Sequence, residues 1–301
     1  MSDINRRDFL KKALTGLLTI GASSFTSFVN AFTSTETISS KNRWLPELTG
    51  DRAGFLALGD MGTGWKTEHD LVSLMTRYPT QEYPGVLLLG DLSYPSAEKH
   101  LLHQNIIDPF TPLFVRDYRF YPCWGNHDWK AEKARHVKEY FAAPDYFSFK
   151  IGPAEFWSLN SNLFDQKQAQ WLDGCLAHSK AIWKIAFCHH PPYSSGKTHG
   201  GSTDLVRDLC PILSRHKVDL CLSGHDHLYE RFNPIQGVNY IVSGGGSASL
   251  YDFKTETNLP RAFVKKCHHF LAVKYDTHQL SIKAIDLSGK TFDQSSVTKN
   301  F

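Results

Sequence analysis

The chain has 301 residues, 41% of them hydrophobic and 21% charged, enough apolar material for one large folded domain or two small ones, with no low-complexity tract. A formal net charge of +3, with no stretch that concentrates Lys and Arg, excludes nucleic acid or an anionic membrane surface as a partner chosen by bulk charge.

The first segment, "NRRDFLKKALTGLLTIGASSFTSFVNA", places Arg6 and Arg7 before Phe9-Leu10-Lys11, then a moderately apolar run and a small-residue site ending at Ala31. It resembles a bacterial twin-arginine export signal over residues 1–31, with Asn5 where Ser or Thr is usual. The run is interrupted by Thr, Gly and Ser and falls short of the roughly 20 apolar residues of a spanning helix. The resemblance implies passage through the twin-arginine translocase, a periplasmic or secreted destination, and no stable membrane span after cleavage. Residues 32–50, rich in Ser and Thr, read as a linker, leaving 51–301 as the folded domain. The six cysteines are scattered without a CxxC pair, which argues against zinc-ribbon and thioredoxin sites and for free, buried thiols.

From residue 51 onward, short apolar runs alternate with helical patterns. "AGFLALGDMG", "PGVLLLGDLSY", "DYRFYPCWGNHD", "EFWSLNSN", "IWKIAFCHH" and "VDLCLSGHDH" read as buried strands that stop at Gly, Asn or His. "TEHDLVSLMTRY", "DQKQAQWLDGCLAHS" and "TDLVRDLCPILSRH" read as helices, the last starting at Thr203-Asp204. "VNYIVSGGG", "HHFLAVKYD" and "QLSIKAIDLSG" follow as strands without helices between them. The pattern predicts one α/β domain with an antiparallel tail.

Five of the six early strands end in groups that bind metal: Asp60, Asp91 with Tyr94, Asn126 with His127, His189, and His225 with His227. In an α/β sheet the carboxyl ends of the strands share the edge where ligands bind, so five loops converge on one pocket. Leaving out His127, two carboxylates, one amide oxygen, three imidazoles and one phenol make seven donors. That exceeds the needs of one ion and suits two ions sharing a carboxylate. The glycines before these residues are expected to provide the sharp turns. In "GHDH" the two histidines serve different ions while Asp226 points away.

In this order the blocks resemble the metallophosphoesterase superfamily from about residue 54 to 228. "GDLSY" and "GHDHLYER" narrow the resemblance to the purple acid phosphatases, in particular their small tartrate-resistant type. It implies a four-layer αββα sandwich of two mixed β-sheets flanked by helices. It also implies an exported acid phosphatase that hydrolyses phosphomonoesters, of small molecules or phosphoproteins, by attack of a metal-bound hydroxide. A dimetal phosphodiesterase or nucleotide pyrophosphatase is the alternative. By the same resemblance Asp60, Asp91, Tyr94 and His227 hold Fe(III). Asp91 bridges to a divalent Fe, Zn or Mn held with Asn126, His189 and His225. His127 meets the phosphate or protonates the leaving alcohol. His199 matches a second substrate-side histidine but lies one position beyond the usual spacing, with His190 as its stand-in. Met61 stands where small members often carry tryptophan.

The remaining expectations concern neighbours of the site. Asp128 and Asp226 are expected to orient histidines, and Glu230-Arg231 to form a structural pair. His268-His269 are expected to be partly exposed, and "SGGGSAS", Ser243 to Ser249, to form a turn at the cleft edge.

Overall fold

In the computed structural model, which describes residues 50–51 and 53–300, the strands build two mixed sheets. The first has six strands in the order β13 (Thr291–Thr298), β12 (Gln279–Asp286), β11 (His269–Tyr275), β1 (Ala53–Leu58), β2 (Gly85–Leu88) and β3 (Arg119–Pro122). The second has seven, β10 (Arg261–Lys265), β8 (Tyr229–Phe232), β9 (Asn239–Ser243), β7 (Leu220–Ser223), β6 (Trp183–Phe187), β5 (Ala154–Ser158) and β4 (Phe147–Ile151). The predicted signal and nearly all of the predicted linker lie outside the described residues.

The central strands are apolar throughout because both their faces are covered. Every residue of "AGFLAL" in β1 and of "GVLL" in β2 is buried. β1, β2 and β3 run parallel with Leu58 opposite Leu88 and Leu88 opposite Pro122, so their carboxyl ends lie level. β6, β7 and β9 are parallel too, with Phe187 opposite Leu222. The inner faces of the two sheets meet through Phe55 of β1, edge-to-face with Phe156 of β5 at 5.3 Å between centroids, and Tyr275 of β11 packs beside both rings.

Helices close the outer faces. α1 (Lys66–Met75) and α2 (Asp108–Phe114) turn Leu71, Val72, Met75, Phe110 and Leu113 into the core of the first sheet. α3 (Asn126–Lys130) and α4 (Arg135–Phe141) follow β3. α5 (Gln166–His178), α6 (Thr203–Asp208) and α7 (Cys210–Arg215) pack Leu172, Leu176, Leu205 and Leu213 against Trp157, Ala186 and Cys221 of the second sheet. The result is the four-layer αββα sandwich.

Two expectations change. The strands after the site blocks are no single tail: β8, β9 and β10 extend the second sheet, and β11 to β13 extend the first. The helix predicted from Thr203 is two short helices broken at Leu209, because Pro211 has no N–H to continue the hydrogen-bond ladder. Its N-cap is Ser202, whose side chain accepts from Leu205 N–H. The six cysteines are free thiols, and no helix of the described residues is long and apolar enough to cross a membrane.

Candidate metal centre

The level strand ends fix where the site forms. Asp60 leaves β1, Asp91 leaves β2, Asn126 and His127 leave β3, His189 leaves β6, and His225 and His227 leave β7. Sharp turning falls on the functional residues themselves: Asp60, Asp91 and His225 occupy the left-handed region at φ 60°, 52° and 68°. Non-glycine residues are sparse there and held by their surroundings, often at sites. The neighbouring glycines serve mostly a different purpose from the one expected. A Cβ on Gly125 would stand 2.0 Å from Asp91 Oδ1, and one on Gly224 would stand 2.5 Å from Asp60 Oδ2, so both leave room for carboxylates.

All seven predicted ligands come together in two adjoining groups. In the first, Tyr94 Oη lies 3.2 Å from Asp60 Oδ1, 2.9 Å from Asp91 Oδ2 and 3.1 Å from His227 Nε2. In the second, His189 Nε2 lies 3.0 Å from Asn126 Oδ1, 3.1 Å from His225 Nδ1 and 3.5 Å from Asp91 Oδ1. Asp91 therefore faces one group with each oxygen, the geometry of a shared carboxylate. The two histidines of "GHDH" divide between the groups, as their spacing predicts.

The donor set fits cations. His227 Nδ1 donates to the Ser249 carbonyl at 2.7 Å, and His189 Nδ1 to the Leu89 carbonyl at 2.9 Å. A carbonyl only accepts, so each ring keeps its proton on Nδ1 and turns the Nε2 lone pair inward. Those lone pairs face Asp60 Oδ1 at 3.3 Å and Asn126 Oδ1 at 3.0 Å, acceptor against acceptor. The single Tyr94 hydrogen cannot serve two carboxylates and an imidazole. Each group thus gathers electron pairs around a point where positive charge belongs.

Protonation tells the same story for the protein's own groups. Burial pushes the Asp60 carboxyl up to about 6, against the pull of His227. Burial also raises Asp91, and lifts Tyr94 well above its ordinary 10 with help from the charges of Asp60 and Asp91. Burial drives His189 and His225 down, and His190 down to about 4. His227 goes the other way: burial opposes its charge, but the hydrogen bond and charge of Asp60 prevail.

The substrate-side candidates surround this pair of groups. The His127 ring packs on Tyr94 at 4.5 Å, and its Nδ1 lies 2.8 Å from the Pro95 carbonyl, which leaves Nε2 for a ligand. His190 and His199 flank His225 at 4.4 and 4.1 Å between ring centroids. His190 also stands close enough to His189 and His225 to share a cation with them, closer than a stand-in for His199 need be.

Three expectations about the surroundings are corrected. Asp128 and Asp226 orient backbone, not histidines. Asp128 accepts from Leu92 N–H and Gly125 N–H, joining the second and third blocks, and Asp226 accepts from Ser194 Oγ and Gly200 N–H. Glu230 and Arg231 do not pair, because neighbours on a strand point to opposite faces. Glu230 bonds Ser195 and Arg261, while Arg231 bonds Asp293. His269 is fully buried, held between Ser243 Oγ and the Cys267 carbonyl. The "SGGGSAS" segment reaches the cleft edge as expected, with Ala248 and the exposed Ser249 lining the recess beside the first group; Ser243 to Ala248 are buried and clamp the first block, with Gly246 N–H donating to Gly59 and Ser247 N–H to Asp60.

Three residues escaped the sequence reading. Tyr251 stacks on His227 at 4.1 Å and 14° between planes. Trp65 stands 55% exposed at the mouth of the site. Glu68, fully buried, accepts from Thr63 N–H at 3.2 Å and Gly64 N–H at 2.8 Å, which fixes the turn carrying Trp65. Only the exposed aromatic left a trace in the sequence, as a tryptophan in a glycine-rich loop.

The chain is 24% identical over 229 residues to purple acid phosphatase 7 of Arabidopsis thaliana, covering 64% of this chain and 70% of the relative. It is 23% identical over 312 residues to mouse tartrate-resistant acid phosphatase type 5, covering 85% and 95%. Among solved structures it resembles a purple acid phosphatase from yellow lupin seeds with a TM-score of 0.72 at 19% identity, covering 84% of this chain and 55% of the lupin chain. That likeness supports the fold. The sequence profile of the calcineurin-like phosphoesterases matches residues 54–229, the span that holds all seven gathered donors, and the chain belongs to that family.

Proposed function

We propose that the protein is an exported acid phosphatase with a mixed Fe(III)–M(II) centre that hydrolyses phosphomonoesters. The observation that carries this reading is Tyr94, whose hydroxyl sits among Asp60, Asp91 and His227 at 2.9–3.2 Å. A phenolate is a hard anionic donor and favours a trivalent ion in that group. Asp60, Asp91, Tyr94 and His227 would hold Fe(III). Asn126, His189 and His225 would hold a divalent Fe, Zn or Mn, with Asp91 shared. When bound, the pair supplies the Lewis acidity that activates water below neutral pH and neutralises charge on the phosphoryl oxygens.

The chain's own residues do the rest. His127, protonated on both ring nitrogens, would keep Nδ1–H on the Pro95 carbonyl and give its Nε2 proton to the leaving oxygen. Ser161 Oγ accepts from His190 N–H at 2.9 Å and is free to donate to His190 Nδ1, also at 2.9 Å. That keeps a proton on Nε2, so His190 donates to a phosphoryl oxygen rather than joining the ligands. His199, against His225, lines the same side. The Arg6-Arg7 motif supports export through the twin-arginine route, with residues 51–301 as the catalytic domain delivered to the periplasm or beyond.

The test combines a spectrum with turnover. Purified protein is expected to show a visible phenolate-to-iron band that Tyr94→Phe abolishes, and to hydrolyse nitrophenyl phosphate well ahead of bis-nitrophenyl phosphate. A colourless, iron-free and fully active enzyme would remove ferric iron from the assignment. Preference for the diester would replace the phosphatase by the phosphodiesterase.

A further inference from the structure

Beside the first ligand group lies an open recess of about 410 Å³. Its walls are Trp65, Tyr94, Pro95, Ala248 and Tyr251, and it reaches the centre through His127 and His227. Neither Lys, Arg, Asp nor Glu lines it. On the far side of the centre a second recess of about 300 Å³ is bounded by His190, His199 and His225 with Thr198 and Ser202. Imidazoles line both sides, and only the first adds the flat rings of Trp65, Tyr94 and Tyr251.

The aromatic side is built, not incidental. Trp65 caps α1 with no side-chain hydrogen bond of its own, and its indole stands outward. The backbone beneath it is fixed from both ends. Trp65 N–H donates to Thr63 Oγ1 at 3.1 Å, and that oxygen lies 2.7 Å from Ser247 Oγ. The buried Glu68 carboxylate takes the N–H groups of Thr63 and Gly64. Tyr251, which lines the same recess, stacks on His227. An exposed indole on a rigid turn, with a stacked phenol in the same recess, presents preordered apolar area, which limits the ordering cost of binding.

Resting on the phosphatase reading above, we propose that this recess is the leaving-group subsite and that it selects phosphomonoesters of aromatic alcohols, with Trp65 as the specificity-determining residue. The placement follows from His127, which lines the recess and is the residue assigned to protonate the leaving oxygen. The chemistry follows from the walls. A flat ring beside Trp65 and Tyr251 gains stacking and apolar burial. A polyol would bury hydroxyls against groups already engaged: the Thr63 hydroxyl by Ser247 and Trp65, and the Ser249 carbonyl by His227. A second anionic group on the leaving alcohol would find no Lys or Arg in the lining, Lys130 Nζ instead lying 3.3 Å from His127 Nδ1.

The test is calorimetric binding of phenylphosphonate and methylphosphonate to the metal-loaded protein at one pH, for the wild type, Trp65→Ala and Trp65→Phe. The wild type is expected to favour the phenyl compound, and Trp65→Ala to lower the phenyl-to-methyl affinity ratio about fivefold, the scale of one aromatic contact. Trp65→Phe is expected to keep most of the preference. Equal affinity for both phosphonates in the wild type, or an unchanged ratio in Trp65→Ala, would overturn the subsite while leaving the phosphatase intact. A wild type that binds neither phosphonate and hydrolyses no monoester would overturn the phosphatase and the subsite together.

Discussion

Replacing Glu68 by Gln isolates a buried acid that belongs neither to the ligand set nor to the surface. Its Oε2 accepts two backbone N–H groups, its Oε1 has no hydrogen-bond partner, and burial pushes the carboxyl well above its usual 4.5 against the pull of those N–H groups. The folded-state value is raised, so the unfolded chain loses this proton first as pH rises. Stability from Glu68 is complete below about 4.5 and falls by about 1.4 kcal/mol per pH unit until the folded value is reached. Gln keeps the accepting oxygen and carries no charge. The two proteins should therefore match within about 1 kcal/mol near pH 4. From there the variant should gain on the wild type by up to about 2 kcal/mol by about pH 6. Urea midpoints and slopes at equal metal load, taken in half-unit steps from pH 4 to 7, measure the difference directly, and acids common to both proteins cancel. Stability curves that stay parallel over that range would show that Glu68 ionises normally, and the account of its burial would be wrong.

Two further outcomes follow from the geometry. His127→Ala should lower kcat on glycerol 2-phosphate by about 100-fold or more, the lower range of general-acid effects. On nitrophenyl phosphate, whose leaving anion needs no proton, the loss should stay under about tenfold, and equal losses on both substrates would remove the proton-donor role. Asp293→Ala should destabilise the fold by about 2–4 kcal/mol in urea titrations. It strips the buried Tyr229 hydroxyl (2.7 Å) and Arg231 (2.7 and 2.9 Å) of the carboxylate that ties β8 of one sheet to β13 of the other. A loss below about 0.5 kcal/mol would mean that water replaces it.

What the sequence made legible depended on how local the physics is. Asp60, Asp91, Asn126, His189 and the "GHDH" pair each follow a short apolar run, and parallel strands in level register bring such ends to one edge. The order of blocks along the chain thus maps onto positions around one site. Partners set by packing between distant loops carry no such signature. Asp128 bonds the N–H of Leu92, 36 residues away, and Asp226 that of Gly200, 26 away. Spacing offered a nearby histidine for each, and neither took it: Asp128 bonds backbone, and Asp226 bonds backbone and the Ser194 hydroxyl. Glu230 and Arg231 were misread for the opposite reason: adjacency in sequence is separation across a strand. Pro211 was visible and still outweighed by apolar periodicity, although a missing N–H breaks a helix whatever the periodicity favours. The aromatic recess was hidden more deeply, because Trp65 and Tyr251 lie 186 positions apart and meet only through Thr63, Ser247 and His227. The donors gathered at the candidate centre are therefore announced by strand ends, while the walls of the recess beside it are assembled from loops.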